Sequence, residues 1–439
     1  MTRLLQPRPD WPFDVRRIPL FYGWVVWLLS TLGILFSIPG QTMGMAVFTD
    51  HFIEVLGLSR TQLSMAYLVG TVTSALLLTR AGRWYDRLGG RVMVAIASLA
   101  LAVMLIFISF TDVMSQSIGG GPIQAFALIM LGYFGVRFFG QGVLTSASRN
   151  VLLLWFERRR GLVSSARGVF VSLGFSLAPL LLATMIAAAG WRGALWLAAL
   201  ACALFALLAY LLLRNDPNSC GVQIDGRKAR PNAESAPIIP SATLDKAVRS
   251  PVFWIVSLSL SMHSLFITAV TFHVVSIFSE AGRSATQAYA YFLPMAIVST
   301  SCNLVAGWLV DSRRLKPFLV IMLLAFVVGA AGLLKLEHDW GYILLVGGFG
   351  LGAGLWSVVS NLAFIRNFGP LHLGEISGLC TSIMVFASAI GPAMFSLGLD
   401  LLGTYAAAIW LCIVMLTILL VAAVLIQHSD ERMPQRADS

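Results

Sequence analysis

The chain has 439 residues, 58% of them hydrophobic and only 11% charged, with 30 Lys and Arg against 20 Asp and Glu for a net charge of +10. A soluble domain carries about 25% charged residues, so a chain this poor in charge has no coat for a water-exposed surface, and a soluble multidomain enzyme is excluded. Twelve membrane helices of about 20 residues each would take up nearly all the apolar residues, which implies a polytopic helical membrane protein with little outside the bilayer.

In chain order, apolar segments fall at 20–48, 61–80, 92–111, 122–148, 161–189, 193–213, 252–279, 287–310, 317–335, 341–365, 374–402 and 405–427. They are spans 1 to 12 below. Those longer than about 20 residues are accommodated by tilt. The charged stretch Met1 to Pro19 precedes an apolar segment too long for a signal-peptide core, so span 1 reads as retained. Loops are short except for 214–249, which is rich in Pro, Asn, Ser and charge, as a flexible linker is. The expected fold is all-α: an N-terminal six-helix bundle at 1–213, a linker at 214–249, and a C-terminal six-helix bundle at 250–439.

The basic residues choose an orientation. With the N-terminus inside, Arg3 to Arg17, Arg80 to Arg91, Arg149 to Arg160, Arg214 to Arg249, Arg313 to Lys316, Arg366, Arg432 and Arg436 place 24 basic residues inside. Only Arg60, Arg192, Arg283 and Lys335 fall outside. This positive-inside bias puts both termini in the cytoplasm of a plasma membrane, here a bacterial inner membrane, and it accounts for the +10 without nucleic acid. Five cysteines, Cys202, Cys220, Cys302, Cys380 and Cys412, are scattered and mostly in apolar runs. They imply no disulfide framework, no metal site and no cofactor.

The two halves repeat. Gly82-Arg-Trp-Tyr-Asp86-Arg87 follows span 2, and Gly307-Trp-Leu-Val-Asp311-Ser312 follows span 8, 225 residues later. Asn150, Gly161 and Pro179 recur as Asn361, Gly374 and Pro392 at offsets of 211, 213 and 213. Such duplication marks transporters with a site between repeats. The segment Gly82-x-x-x-Asp86-Arg87-x-Gly89-Gly90-Arg91 resembles the loop 2–3 signature of the major facilitator superfamily, and Arg137-x-x-Gly140-x-Gly142 resembles its span-4 motif. More narrowly, Tyr22-Gly23-Trp24, Trp155-Phe156-x-x-Arg159-Arg160-Gly161 and Gly190-Trp191-Arg192 are similar to the monocarboxylate and oxalate/formate branch. The resemblance implies transport of small organic anions by proton symport or anion exchange, with spans 1, 4, 7 and 10 lining the pathway. It implies gating by Gly82, Asp86, Arg87, Arg91 and Asp311 at the loop motif and its degenerate copy. The branch uses basic residues in spans 8 and 11; here span 8 has no charge and span 11 has only Glu375 and Asp400.

Charges inside a membrane are costly and mark functional sites. Two remain after the loops are assigned, Arg137 in span 4 and Arg167 in span 5. Arg137 lies 15 residues past Pro122, about 22 Å along a helix. Its neighbours at four-residue spacing, Tyr133, Gln141, Thr145 and Arg149, make one polar face over four turns. Arg137 is either a structural anchor or an anion contact, and Arg167 either a substrate or gate contact or a snorkelling side chain. Arg167 has no basic counterpart in the repeat, where Cys380 stands. No Asp or Glu lies mid-span, so a cavity whose charges are arginines should prefer an anion. His263 and His273 in span 7 are the available proton carriers, about 80° apart on the helix. Gln41, with Thr42, after the Pro39-Gly40 break in span 1, Asn303 in span 8, and Trp356 and Asn361 in span 10 complete the candidate substrate-binding set. Each of these is otherwise interhelical glue. The Gly347 to Gly354 run reads as a close-packing surface.

The function these features point to is a monomeric secondary transporter, not an enzyme, moving a small anionic substrate by alternating access in exchange for, or together with, a counter-anion or protons. The rivals are a transporter of the same fold that exports amphipathic drugs, and a membrane sensor that binds a solute without moving it.

Overall fold

The computed structural model describes residues 8–226 and 241–426, and every regular element in them is helical. Arg3, Arg227, Lys228, Arg230, Arg432 and Arg436, counted above as inside, lie outside the described residues. Among the described residues, eleven helices are long and apolar enough to cross a membrane. One of them, Arg160–Leu212, runs for 53 residues and contains both span 5 and span 6. Gly190 breaks it, with φ 71° and ψ 168°, a backbone conformation that only glycine adopts without strain. The twelve apolar segments are therefore all present, with the loop between spans 5 and 6 reduced to one glycine. Leu76, Ile123, Leu181, Trp308, Ile343 and Leu401 stand exposed on the helices, a distribution that suits lipid rather than water.

Contacts divide the chain into two compact units. Unit one is Met1–Glu157, Phe170–Ile238 and Leu371–Ser382; unit two is Arg158–Val169, Ile239–Pro370 and Ile383–Ser439. The helices of spans 5 and 11 thus each give their first residues to one unit and the rest to the other. Within the 214–249 stretch, Asn218–Cys220 and Ile224–Gly226 are short 3-10 turns, and Leu244–Arg249 is a helix.

In unit one, span 1 is helical over Gly23–Phe36 and tightens to a 3-10 turn at Ile38–Gly40. It restarts as Thr42–Ala46 and Thr49–Leu56. Pro39 has no N–H to continue the ladder, so the break falls where the Pro39-Gly40 pair places it. Span 4 is α-helical over Pro122–Val136, π-helical over Arg137–Leu144 and α-helical again over Thr145–Trp155. It runs past its expected end at residue 148 and carries Arg149 into the helix instead of the loop. The broken turn of span 1 lies against the π stretch so closely that a Cβ on Gly40 would sit 2.3 Å from the Val136 carbonyl oxygen and 2.7 Å from Gly140 Cα. Backbone cannot yield to that, and overpacking costs about 1–3 kcal/mol. Gly40→Val should therefore lower the melting temperature of the purified protein, measurable by thermal unfolding against wild type.

In unit two, glycines again set the packing. A Cβ on Gly348 would fall 2.4 Å from Gly329 N, and one on Gly332 2.5 Å from Leu345 N, so spans 9 and 10 touch backbone to backbone. Gly350 and Gly354 meet Val298 and the Ser299 carbonyl of span 8. Within the Gly347–Gly354 run, Gly348, Gly350, Gly352 and Gly354 form the close-packing surface the sequence suggests, while Gly347 faces open space.

The internal repeat extends to the helix caps. Ser59 and Gln62 form a capping box ahead of span 2, and Ser284 and Gln287 form one ahead of span 8. The left-handed residues before them are Gly57 (φ 63°) and Gly282 (φ 73°). All of these pairs are separated by 225 residues, the offset of Gly82 from Gly307.

Candidate substrate site

Arg137 is buried at the start of the π stretch, with 5% of its surface exposed. Its Nη1 donates to the Gly40 carbonyl at 3.2 Å and to Thr42 Oγ1 at 3.4 Å. The Gly40 carbonyl is available because the 3-10 break takes it out of the helical ladder. The guanidinium lies 5.2 Å from the Tyr67 ring centroid, a cation–π contact. Tyr67 Oη donates to Thr42 Oγ1 at 2.8 Å, and its ring meets Tyr133 edge-on at 5.1 Å. Arg137 Nε finds no hydrogen-bond partner among the described residues. Every oxygen bonded to this cation is neutral. A buried donor left unpaired is costly, and π turns in helices recur at functional sites.

Around it, Gln41 Nε2 donates to Ser37 Oγ at 3.0 Å and to Thr145 Oγ1 at 3.3 Å, and Thr145 Oγ1 reaches Ser37 Oγ at 3.1 Å. Arg137, Tyr133 and Gln41 are therefore brought into one polar region of unit one. Gln141 lies half-buried in the same π stretch. Tyr67 and Ser37 belong to this region and were not among the candidates. Tyr67 is the one aromatic residue of span 2, which is the signal the sequence offers for it.

Arg167, Asn361 and Asn303 belong to unit two. Arg167, 3% exposed, donates from Nη2 to Asn361 Oδ1 at 2.9 Å, and Asn361 Nδ2 donates to the Ser357 carbonyl at 2.6 Å. Asn303 accepts from Ser165 Oγ at 3.0 Å. Trp356 Nε1 donates to the Leu260 carbonyl at 3.1 Å, and its ring and that of Phe326 lie 4.8 and 5.0 Å from the His263 ring. His273 is in a separate cluster with Tyr405. The two histidines of span 7 thus serve different surroundings on one unbroken helix, Pro251–Glu280.

The loop-motif residues separate. Asp86 accepts from Gly374 N at 2.8 Å and from Glu375 N at 2.9 Å, two of the first N–H groups of the Leu373–Leu402 helix. A carboxylate at a helix N-terminus satisfies free donors and the helix dipole together. Arg83 pairs with Glu375. A Cβ on Gly82 would lie 2.1 Å from the Gly374 carbonyl oxygen, so a glycine is needed for the helices to approach. The repeat builds the same clamp in unit two. Asp311 accepts from Gly161 N at 2.7 Å and Leu162 N at 3.1 Å, with Gly307 against Gly161. Arg366 Nη2 lies 4.0 Å from Asp311 Oδ1 and donates to the Val310 carbonyl at 2.7 Å.

Arg87 is exposed. Arg91 points elsewhere: its Nε donates to the Tyr210 carbonyl at 2.6 Å and its Nη2 to the Trp11 carbonyl at 2.9 Å, between the Trp11 and Tyr210 rings. Arg214, 1% exposed, likewise binds the carbonyls of Pro9 at 2.9 Å and Leu211 at 2.8 Å. Burial pushes its guanidinium below the usual arginine value. These two arginines tie the stretch before span 1 to the end of span 6.

Paired repeats, capped apolar helices and buried arginines are the features of a multi-pass membrane transporter. The sequence matches the Major Facilitator Superfamily model over residues 29–392, and the chain belongs to that superfamily. No curated protein sequence matches it. Among solved structures, a bacterial homologue of the iron transporter ferroportin, in an outward-facing state, aligns with a TM-score of 0.68 at 17% identity, covering 91% of this chain and 98% of that one. The Escherichia coli fucose:proton symporter aligns with a TM-score of 0.61 at 15% identity, over 92% and 99% of the two chains. The human organic anion transporter MFSD10 aligns with a TM-score of 0.61 at 16% identity, over 91% and 99%. At these identities the likeness is one of fold.

Proposed function

We propose that this protein is a secondary active transporter of small organic anions, monocarboxylate-like, working by alternating access as a proton symporter or an anion exchanger. The observation that carries the reading is Arg137: a buried cation whose bonded partners among the described residues are all neutral, with one donor still unpaired. A carboxylate would complete it through a charge-assisted hydrogen bond, with Tyr133, Gln141 and Gln41 orienting the substrate. In unit two, Arg167, held by Asn361, is a second candidate cation, with Asn303, Trp356 and His273 as further candidate residues of that unit. Fold likeness is silent on the solute, since the relatives named above handle iron, fucose and organic anions.

The Asp86 and Asp311 caps are the proposed gating contacts, released and remade during the cycle. The charge bias favours a plasma membrane with both termini in the cytoplasm. Halves bounded at residues 213 and 250 and a monomer complete the proposal. Counterflow in proteoliposomes tests it. Labelled formate, lactate and oxalate should enter vesicles preloaded with the same anion, and entry of a cationic dye with no response to carboxylates would overturn the reading.

A further inference from the structure

One cavity lies wholly within unit two. Its volume is about 730 Å3, and its lining includes His273, Ser276, Ser279 and Glu280 of span 7 with Leu399 and Gly403 after them. Glu280 was not among the candidates, because it stands at the end of span 7 and not in its middle. The carboxylate accepts from Thr404 Oγ1 and, at 3.3 Å, from Tyr405 N.

The hydrogen bonds of His273 suit two charge states. Its Nε2 faces the Pro392 carbonyl at 3.1 Å and Ser396 Oγ at 3.3 Å. A carbonyl only accepts, so Nε2 keeps its hydrogen in both states. Its Nδ1 faces Tyr405 Oη at 3.3 Å, and that hydroxyl donates to Ser276 Oγ at 3.0 Å. When the imidazole is neutral, the Tyr405 hydroxyl can turn to donate to Nδ1. When the imidazole is protonated, Nδ1–H donates to the phenol oxygen, whose own hydrogen goes to Ser276. Rotation of one hydroxyl satisfies every group in either state. The titratable groups around the ring are Tyr405 from span 12 and, across the shared cavity, Glu280 from span 7. Span 11 presents to the ring the Pro392 carbonyl and the Ser396 hydroxyl, while its Asp400 is exposed.

We propose that His273 is a proton-loading site, filled from this cavity and relayed through Tyr405 to Ser276, with Glu280 the carboxylate of the same cavity, and that the coupling ion is therefore a proton. The coupling role rests on the transport reading above; the proton site itself rests on the cavity and the hydrogen bonds.

Two readouts separate the two. The first needs no substrate: nitrogen-15 NMR of histidine-labelled protein, with the His273 signals assigned by their loss in His273→Gln, titrated with acid. The expected neutral form carries hydrogen on Nε2, and acidification protonates Nδ1. In Ser276→Ala and in Glu280→Gln that change should be displaced from its wild-type position, since each alters the groups around the ring and its cavity. A ring that never gains the second proton, or a change that neither substitution moves, overturns the proposal. The second is uptake of labelled lactate. His273→Gln should lose pH-gradient-driven accumulation by about tenfold, and Glu280→Gln should lose it while lactate counterflow stays near wild type. Gradient-driven accumulation at the wild-type level in His273→Gln overturns the coupling role. Wild-type protein that moves no lactate contradicts the anion reading for that solute, and the NMR titration then judges the proton site alone.

Discussion

Arg137→Gln should abolish transport of anionic substrate, by roughly a hundredfold, because removing the cation from a buried, hydrogen-bonded charge pair costs about 2–5 kcal/mol. The protein should still fold. Glutamine is neutral, and its amide can still donate toward the Gly40 carbonyl and Thr42 that now receive the guanidinium. Circular dichroism and size-exclusion behaviour should match wild type. Arg137→Lys should fall between the two: it keeps the charge but loses the planar fork and the stacking on Tyr67. Tyr67→Phe keeps the ring and removes the hydroxyl that holds Thr42, so a smaller loss is expected. Undiminished uptake of a carboxylate by Arg137→Gln would leave Arg137 as a structural anchor only.

The second large effect concerns the clamps, which are equivalent in the repeat but not in what surrounds their glycines. A Cβ on Gly82 would meet backbone, the Gly374 carbonyl oxygen at 2.1 Å and its carbon at 2.5 Å. A Cβ on Gly307 would meet the Ser165 side chain, Oγ first and then Cβ at 2.6 Å, with the Gly161 carbonyl at 2.9 Å. The hydroxyl can rotate away but Ser165 Cβ cannot, so both substitutions clash, and the clash of Gly82 with backbone is the closer of the two. Gly82→Ala should therefore force the start of span 11 off span 2, break both bonds to Asp86 and lower stability by about 1–3 kcal/mol, with Gly307→Ala milder. Paired thermal unfolding and transport assays on the two variants check this, and equal effects would show that the clash does not set the outcome. Asp86→Ala removes the cap without the clash and, if the cap gates as proposed, should lower transport with a smaller loss of stability, about 1 kcal/mol.

Much of the architecture was written in the apolar pattern, because a chain in lipid must satisfy its backbone internally and only helices do so segment by segment. The Gly190 break, the Pro39-Gly40 break and the repeated Gly-x-x-x-Asp motif are local and were readable. The partners of those motifs were not. Asp86 and Gly374 are far apart in the chain, and no pattern near either names the other. Arg91 sits inside the loop motif, yet its fork turns to the carbonyls of Trp11 and Tyr210, a choice made by tertiary packing. Tyr67, Tyr405 and Glu280 escaped notice for the same reason: each matters through a contact with a distant residue. The π stretch at Arg137–Leu144 leaves no compositional trace. The scarcity of charge, by contrast, already isolated Arg137 and Arg167, and both are buried.

The most direct measurement is ligand-induced thermal stabilisation of purified wild type and Arg137→Gln, with formate, lactate and oxalate set against the neutral sugars fucose and xylose. A ligand that binds the folded state raises its stability by RT ln(1 + [L]/Kd), about 2.7 kcal/mol at a hundredfold excess over Kd. At least one carboxylate should raise the melting temperature of wild type, and none should raise that of Arg137→Gln. Stabilisation by the sugars alone, or by carboxylates equally in both proteins, would contradict an anion site at Arg137.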